Sequence, residues 1–496
     1  MSAADTTGVD TGRLGTALSE TARRILFGDG TAEHEDELSA ELRDITEVDR
    51  AHLVMLTEQG IVASGKAQLL LHEIQVLRAT DFAELRGRPA PRGRYLSYES
   101  YLIEKLGVEV GGVLHTGRSR NDLNATTIRL RVRKPYAELL TEALRLGAVL
   151  HARATEHQRV VMPAYTHRQP AVPITYGHYL AGLGNAVLRG VDGLLHAGKE
   201  IDVNPLGAGA VGGTSVGVDR RHTARLLGFE AVAASSLDAV ASRDFVLRLL
   251  AASAVLGVAI ARSAQDFSLW STEEFGLLHV PDDLVGSSSM MPQKRNPFVL
   301  EHIQGKAAAP VGAFVSSASS MLTAGYTNAI AVGTEAATHL WPALRNSTEA
   351  VVLMRLFADG ARPVAERMME RASNGFTTAT YLAERLVADG MPFRAAHHEV
   401  GRLVLRGLEH GQTLDVVARD HFAENGGNPV GALDPETVAA AGEFGGGPGP
   451  RSLGDSLSAL DAELTRLNEI ATARGRRWET AAQDLEQTVQ RLLRQS

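Results

Sequence analysis

The sequence predicts an all-α protein. Apolar residues recur at helical spacing, strand-type alternation is weak, and no repeat of fixed period is present. Leu53, Leu56 and Ile61, for example, follow the interval of one helix face. Several such segments exceed the ordinary helix length of about 11–12 residues. Long apolar helices of this kind are typical of bundles that bury helix faces between subunits.

Clusters of proline, glycine and serine divide the chain into successive helical segments. The first segment spans residues 39–85, and a break at 87–94 separates it from a helix at 97–106. Long helices are then expected at 126–158, 173–201, 235–275, 295–320 and 334–358. Shorter helices follow residue 363, and an amphipathic helix at 453–493 ends the chain.

The length of the chain indicates several domains. With 496 residues and roughly 150 residues per domain, we expect three helical domains after a flexible N-terminal lead-in at 1–31. They are an N-terminal domain at 32–125, a central helical bundle at 126–362 and a C-terminal domain at 363–496. The lead-in is polar and rich in small residues, as flexible termini are.

The composition excludes several classes of function. The formal net charge is −8 and the arginines are spread along the chain, so no nucleic-acid partner is expected. The absence of cysteine excludes disulfides and thiolate chemistry. The longest apolar stretch, at 249–261, is shorter than the roughly 20 residues that span a bilayer. Because the N-terminus also lacks a signal-peptide core, we expect a cytoplasmic protein with no membrane partner.

The segment at 286–297 carries the first candidate chemistry. Ser288 is followed by Lys294 and Asn296, and a helix is expected to begin near Pro297. A serine acts as a base only when its oxyanion is stabilised, and a lysine, loop N–H groups and a helix N-terminus provide that stabilisation. A flexible serine-rich surface loop would have the same composition.

The segment at 115–122 concentrates hydrogen-bond donors. Arg118, Ser119, Arg120 and Asn121 suit a dicarboxylate, because guanidinium groups bind carboxylates in a two-pronged fork. A solvated charged turn, or an ion pair between subunits, explains the same pattern equally well.

Two further segments are ambiguous by themselves. His167 lies in the segment at 164–169, and histidine is the side chain whose charge changes near neutral pH, yet a single histidine is more often structural than catalytic. The Gly-rich segment at 204–215 has neither phosphate-loop nor dinucleotide-binding spacing, so we do not interpret it as a nucleotide site.

Together, these segments resemble the argininosuccinate lyase family of the aspartase/fumarase superfamily. The stretch SSMMPQKRNP at 288–297 is similar to the superfamily signature, and the residues around Glu301 and Lys306 are similar to the argininosuccinate lyase branch. The remaining matches occur in the same order as in the family, at 115–122, 165–167, 205–210, 236–245, 374–380 and 391–394. The resemblance covers residues 44–453, and so many motifs in order outweigh the alternatives for each segment alone.

The resemblance implies a fold and an assembly. It implies a three-domain aspartase/fumarase fold whose long central helices form a core of about 20 helices in a homotetramer. It also implies active sites built from three subunits, which would explain why the motifs lie far apart in sequence. It implies a small-molecule substrate as partner and neither a metal nor an organic cofactor.

The resemblance also implies anti β-elimination of an N-substituted aspartate to fumarate and an amine. Ser288, as an alkoxide, would remove a proton next to a carboxylate, and Lys294 would stabilise the resulting dianion. His167 would protonate or order the leaving nitrogen, and Glu301 would orient that histidine. The residues that would hold the substrate are Ser119, Arg120, Asn121, Thr166, Asn296, Tyr326 and Arg243.

The sequence departs from the family around the amine half of the substrate. Leu123, Val172 and Ala331 each stand where the family usually has glutamine, and residues 332–334 replace a Glu-Asp-Lys run, whereas Tyr326 remains. A site that hydrogen-bonds a guanidinium discriminates strongly, because its polar groups are costly to leave unpaired. We therefore expect an N-substituted aspartate other than argininosuccinate, with these three positions forming an altered specificity pocket.

Three alternatives remain open from the sequence. The chain is compatible with a true argininosuccinate lyase of arginine biosynthesis whose pocket has drifted. A non-catalytic, crystallin-like relative is disfavoured because Ser288, Lys294, Asn296, His167 and Glu301 are all present. The enzyme could also work in the additive direction, joining an amine to fumarate.

Overall fold

The computed structural model describes residues 32–88, 93–424 and 431–494, with side chains from Leu38 onward. The predicted flexible lead-in at 1–31 lies outside the described residues. Helices account for most of the described chain, and the strands form only short two-stranded pairs. The prediction of an all-α class is thus confirmed.

The helices, in chain order, are α1 (Ala32–Glu58), α2 (Ser64–Ala79), α3 (Arg94–Leu106), α4 (Val108–Gly111), α5 (Arg120–Glu156), α6 (Tyr176–Ala197), α7 (Arg220–Leu226), α8 (Ser236–Ala241), α9 (Asp244–Trp270), α10 (Phe298–Leu322), α11 (Ala336–Thr338), α12 (Leu340–Gly360), α13 (Ala365–Ser373), α14 (Ala379–Ala388), α15 (Phe393–His410), α16 (Leu414–Glu424), α17 (Pro435–Ala441) and α18 (Pro450–Arg494). A single π-helical turn, Ala331–Glu335, precedes α11.

Two predicted helical segments are each divided in the structure. The stretch expected at 39–85 is broken between α1 and α2, where Gly60 adopts a left-handed φ of 67° that suits a residue without a side chain. The stretch expected at 235–275 is broken between α8 and α9 at Ser242, which has extended backbone. Apolar spacing alone did not reveal either break, because the periodicity resumes after each turn.

The central bundle consists of α5, α6, α9, α10 and α12. Helix α5 packs on α6 and α12, and α9 packs on α6 and α10. Its interior is continuous, with Leu146, Val191, Leu249 and Phe357 fully buried. Helix α5 begins earlier than the expected residue 126, because Ser119 caps its N-terminus.

The strands form four two-stranded pairs. They are the antiparallel pair β1 (Val161–Thr166) and β2 (Gln169–Thr175), the parallel pair β3 (Val203–Asn204) and β4 (Ala231–Val232), and the antiparallel pairs β5 (Leu278–His279) with β8 (Arg362–Pro363) and β6 (Gly286–Ser287) with β7 (Arg295–Asn296). The start of the helix expected at 173 was wrong, since β2 occupies that position and α6 begins after Thr175, whose hydroxyl accepts the His178 N–H.

The final helix, α18, joins two hydrophobic cores. Leu460 and Leu467 pack in the central bundle, whereas Leu485 and Val489 pack among the N-terminal helices. The amphipathic helix expected at 453–493 is therefore present. Helix α5 crosses the expected limit at residue 125, and α18 contacts α1, α2, α5 and α6. Helices of different expected domains thus pack on one another, and the expected domain limits stay a prediction.

Helix α9 is the one described helix that is long and apolar enough, by length and composition, to cross a membrane. At 27 residues it is longer than the apolar stretch expected at 249–261. One side of α9 faces the bundle core, where Leu249, Leu256 and Phe267 are at most 1% exposed. The other side exposes Val255 and Val258.

Candidate active site

The Ser288 loop is a hairpin between β6 and β7. Ser288 Oγ accepts hydrogen bonds from the backbone N–H groups of Met290, at 3.3 Å, and Met291, at 3.0 Å. The Lys294 N–H donates to the Met291 carbonyl at 3.1 Å, which closes the turn. Two N–H donors on one hydroxyl oxygen favour its negatively charged form.

The base of the Ser288 loop is anchored, whereas its tip is exposed. Arg295 forms an ion pair with Asp282 and donates to the Val280 carbonyl at 2.7 Å. Met290 at the tip is 87% exposed, and Lys294 is also exposed. Such a loop has few contacts that resist movement, which suits a segment that closes over a substrate.

The neighbouring candidates follow the loop directly. Asn296 ends β7 and is half-buried, and α10 begins at Phe298 immediately after Pro297. The start expected near Pro297 is therefore confirmed, whereas the start at 295 was wrong because β7 occupies residues 295 and 296. Glu301 lies exposed in the first turn of α10. The loop and Asn296 thus precede a helix N-terminus, whose free N–H groups favour nearby negative charge.

His167 lies at the turn of the β1–β2 hairpin. His167 and Arg168 have left-handed φ values of 51° and 63°, as a two-residue hairpin turn of type I′ requires. Non-glycine residues seldom adopt this conformation, and it projects Thr166 and His167 into solvent. Val172 is half-buried on β2 in the same hairpin.

The Ser119–Asn121 turn is held at the N-terminus of α5. Ser119 Oγ accepts the Asn121 N–H at 3.3 Å, while Asp122 accepts the Ser119 N–H at 2.8 Å. Asp122 also accepts the N–H groups of Gly207 and Gly209, each at 2.9 Å. The Gly-rich segment at 204–215 therefore wraps around this helix end, which explains its composition without a nucleotide.

Beneath this turn is a buried polar network. Arg118 Nη2 lies 2.5 Å from Asp49 Oδ1 and donates to the Tyr95 hydroxyl at 3.2 Å. Burial disfavours the guanidinium charge, but the Asp49 carboxylate and the Tyr95 hydroxyl together outweigh this effect and raise the pKa of Arg118. The Arg118 side chain has no solvent exposure and is paired with Asp49, whereas Arg120 is exposed at the first position of α5.

A second group of candidate residues lies around Asn121 and Tyr326. Asn121 Nδ2 donates to the Ala210 carbonyl at 3.1 Å, and Asn328 Nδ2 donates to Asn121 Oδ1 at 3.0 Å. Tyr326, which is 66% exposed, donates its hydroxyl to the Asp238 carboxylate, and this hydrogen bond raises the pKa of Tyr326 to about 12. The sequence did not reveal Asn328 and Asp238 as contacts, although Asp238 lies in the motif at 236–245 and Asn328 is two residues after Tyr326.

Arg243 is almost completely buried next to this group. Its Nη1 donates to the carbonyls of Val240, at 3.0 Å, and Ser242, at 2.7 Å, whereas Nε and Nη2 have no partner among the described residues. Burial lowers the pKa of Arg243 to about 10. Ala331 begins the π-helical turn beside it.

One chain brings only part of the predicted site together. Within residues 32–88, 93–424 and 431–494, no hydrogen bond or ion pair joins Ser288 or His167 to Asn121. Leu123 is fully buried in the N-terminal hydrophobic core, so any effect on specificity would be indirect. The cleft of about 920 Å³ between α5 and α18 contains none of the candidate residues. The described residues also form no cluster of three or more His, Asp or Glu suited to a metal.

Comparisons with known proteins show the family of the chain. A family described as "Lyase" matches residues 88–312, and one described as "Argininosuccinate lyase C-terminal" matches residues 376–440. The chain is 34% identical over 439 residues to "Argininosuccinate lyase 1" of Shouchella clausii, covering 85% of this chain and 87% of that protein. It is 36% identical to "Argininosuccinate lyase" of Methanoculleus marisnigri, covering 84% and 87% respectively.

Solved structures show the same similarity. EDDS lyase in complex with formate superimposes with a TM-score of 0.83 at 28% identity, over 96% of each chain. Class II fumarase from Schistosoma mansoni has a TM-score of 0.68 at 17% identity, over 85% of this chain and 95% of that one, and shares the fold. The fold and these relatives define a carbon–nitrogen lyase of the aspartase/fumarase superfamily. Within it, the chain belongs to the argininosuccinate lyase family, which confirms the resemblance inferred from the sequence.

Proposed function

We propose that this lyase releases fumarate from an N-substituted aspartate by β-elimination, with Ser288 as the base. The observation that carries the proposal is the pair of N–H donors, from Met290 and Met291, on Ser288 Oγ. These donors lower the free-energy cost of forming an alkoxide. An alkoxide is a base strong enough to remove a proton from carbon next to a carboxylate.

In the proposed reaction, the Ser288 alkoxide takes a proton from the carbon beside one succinyl carboxylate. The electron pair moves into that carboxylate, and the dianion is stabilised by the Lys294 ammonium and the Asn296 amide. The C–N bond then breaks, and its electrons leave with the nitrogen. His167 donates a proton to this nitrogen or orders it, and Glu301 orients the histidine. Reversal of the same steps would add an amine to fumarate.

The succinyl half of the substrate is assigned to the N-terminus of α5. Arg120 and the helix N-terminus favour a carboxylate, and Ser119 and Asn121 offer neutral hydrogen-bonding groups. Thr166 would complete this half from the β1–β2 hairpin. Tyr326 and Arg243 would face the amine half, together with the altered positions Val172 and Ala331.

We also propose that each site combines three subunits of a homotetramer, in the cytoplasm. Among the described residues, no hydrogen bond or ion pair joins Ser288 or His167 to Asn121, and the family resemblance implies a site shared between subunits. The exposed valines on the bundle supply an apolar face for association: Val255 and Val258 on α9, and Val311 and Val315 on α10. Their exposure ranges from 46% to 68%.

The leaving amine is proposed to differ from arginine. The π-helical turn beside Tyr326 carries Ala331 and Gly333, and neither provides a side-chain hydrogen bond. A drifted argininosuccinate lyase is the second candidate, and the 34–36% identity to proteins of that name favours it. Substrate turnover distinguishes the two.

The test is fumarate release from argininosuccinate and from a panel of other N-substituted aspartates, followed by the ultraviolet absorbance of fumarate. Ser288→Ala is the inactive control. Release from another substrate, with argininosuccinate ignored, supports the altered amine specificity. Efficient turnover of argininosuccinate identifies an ordinary argininosuccinate lyase, and no release from any substrate overturns the proposed reaction.

A further inference from the structure

Two buried guanidinium groups lie next to the amine side of the candidate site without an acidic partner. Arg243 is 1% exposed and Arg129 is 5% exposed, and neither forms an ion pair among the described residues. Burial, followed by the charge of Arg243, lowers the pKa of Arg129 to about 9. The nearby Glu200 carboxylate pairs instead with Arg248, at 3.3 Å.

The two arginines are satisfied to different extents. Arg129 donates to the Ala125 carbonyl at 2.8 Å and stacks on Phe245, with 4.7 Å from the guanidinium carbon to the ring centroid. Arg243 instead leaves Nε and Nη2 buried without a hydrogen-bond acceptor in the described part of the chain. A buried, unpaired charged donor is costly for the folded protein, and an anionic ligand that reached these two donors would offset that cost.

The unpartnered side of Arg243 faces Gly333. A Cβ atom built on Gly333 would lie 3.9 Å from Arg243 Nη2 and 3.6 Å from Asn328 Oδ1. Because residue 333 is glycine, no side chain fills the space between the cationic Arg243 Nη2 and the amide oxygen of Asn328. Gly333 belongs to the π-helical turn, and such turns often occur at functional sites.

We propose that the leaving amine carries its own carboxylate close to the nitrogen, with Arg243 facing that carboxylate and Asn328 Oδ1 accepting the amine N–H. This inference rests on the proposed function and specifies its substrate class. A cation adjacent to a neutral acceptor matches an amine and a carboxylate separated by one or two carbons. The unpaired charge of Arg243 also disfavours a leaving amine that carries a cationic group in addition to its own nitrogen.

The hydrogen bond from Asn328 to Asn121 connects this pocket to the succinyl half. Asn121 Oδ1 is occupied by Asn328 Nδ2, so the amide oxygen of Asn328 is the atom that faces Gly333. The Ala210 carbonyl fixes the orientation of the Asn121 amide in turn. Hydrogen bonds would therefore connect the groups that bind the amine half of the substrate to those that bind the succinyl half.

The test measures binding in a Ser288→Ala background, so that it does not depend on turnover. N-(carboxymethyl)aspartate and N-(2-hydroxyethyl)aspartate are similar in size, and only the first carries the additional carboxylate. We expect calorimetry to give at least about tenfold tighter binding of the carboxylate compound, as for one charge-assisted hydrogen bond. Equal affinities overturn the inference.

Matched variants assign the effect to Arg243. Gly333→Glu supplies a counter-ion for Arg243 and is expected to remove the tighter binding of N-(carboxymethyl)aspartate. Gly333→Gln, which has the same size but no charge, is expected to retain more of that difference in affinity. Arg243→Met is expected to remove the preference, to leave fumarate binding unchanged, and to raise the melting temperature, because an unpaired buried charge is lost. Weaker fumarate binding in Arg243→Met assigns the arginine to the succinyl half and overturns the inference.

The proposed function and the carboxylate inference are overturned by different results. If the Ser288-containing protein releases fumarate from none of the N-substituted aspartates, the lyase proposal fails, whatever the binding ratio. If fumarate is released but the two compounds bind equally, only the carboxylate inference fails.

Discussion

Arg118 and Asp49 form an ion pair with no solvent exposure on either side chain, and 2.5 Å separates Arg118 Nη2 from Asp49 Oδ1. The pair joins α1 to the residue that precedes the Ser119–Asn121 turn. His52, also on α1, lies 2.8 Å from the Thr116 carbonyl through Nε2. The N-terminal helices therefore fix the backbone from which the candidate succinyl-binding residues project.

Asp49→Asn is expected to destabilise the protein by about 3–5 kcal/mol, because it leaves the Arg118 charge buried without a partner. Chemical denaturation at fixed protein concentration measures this change in the free energy of unfolding. Asp81→Asn is the matched control, since Asp81 pairs with Arg43 at 2.6 Å on the surface and its loss should cost much less stability than the loss of Asp49. Equal costs for the two variants would contradict the structural role of the Asp49–Arg118 pair.

Stability is expected to fall as the pH drops below about 6.5, partly through His52. Burial, followed by the charge of Arg118, lowers the pKa of His52 to about 3. The unfolded chain then binds a proton that the folded chain excludes, so this contribution is complete above pH 6.5 and is lost as the pH falls toward about 3.

His52→Gln tests this dependence, because glutamine does not titrate. Between about pH 6.5 and pH 5, the variant should lose up to about 2 kcal/mol less stability than the unaltered protein. Denaturation curves at both pH values give the comparison. Identical pH dependence in the two proteins would exclude His52 as a contributor.

Ser288→Ala is expected to lower kcat by at least about 10³-fold, because it removes the proposed base. Ser287→Ala is the neighbouring control, and the position of Ser287 on β6 gives it no role in the proposed chemistry. Steady-state fumarate release measures both, and circular dichroism checks that the fold is retained. Comparable losses in the two variants would indicate damage to the loop rather than loss of a base.

Val258→Glu and Val315→Glu are expected to dissociate the proposed homotetramer, because each places a charge on the apolar face of α9 or α10. Analytical ultracentrifugation measures the assembly, and Leu408→Glu is the control on another exposed apolar residue, which is 63% exposed on α15. A wild-type sedimentation coefficient in both bundle variants would place the interface elsewhere.

Mixing two inactive variants tests whether the sites are shared between subunits. Ser288→Ala and His167→Asn should each be inactive alone, yet hybrids formed by refolding them together should recover part of the activity. Recovery requires a site that takes Ser288 from one subunit and His167 from another. If the refolded mixture regains full assembly without any activity, each chain supplies both residues to the same site.

The sequence by itself determined the helical class and the family, and it supplied the residues on which the proposed chemistry of the fumarate-forming half rests. Those conclusions depend on local order: apolar periodicity, helix breakers, and the residues around Ser288, Asn121 and His167. Helix α10 starts as expected after Pro297, and α18 has the predicted amphipathic length. Local backbone preference and short motifs are sufficient for such features.

The tertiary structure decided which polar groups are paired inside the protein and which are exposed. Arg118 and Arg120 are two residues apart in sequence, yet the first is buried against Asp49 and the second is exposed. Gly333 and Arg243 are remote in the chain but adjacent in space. Burial and charge compensation depend on packing between distant segments, and a single sequence does not encode that packing in any local pattern.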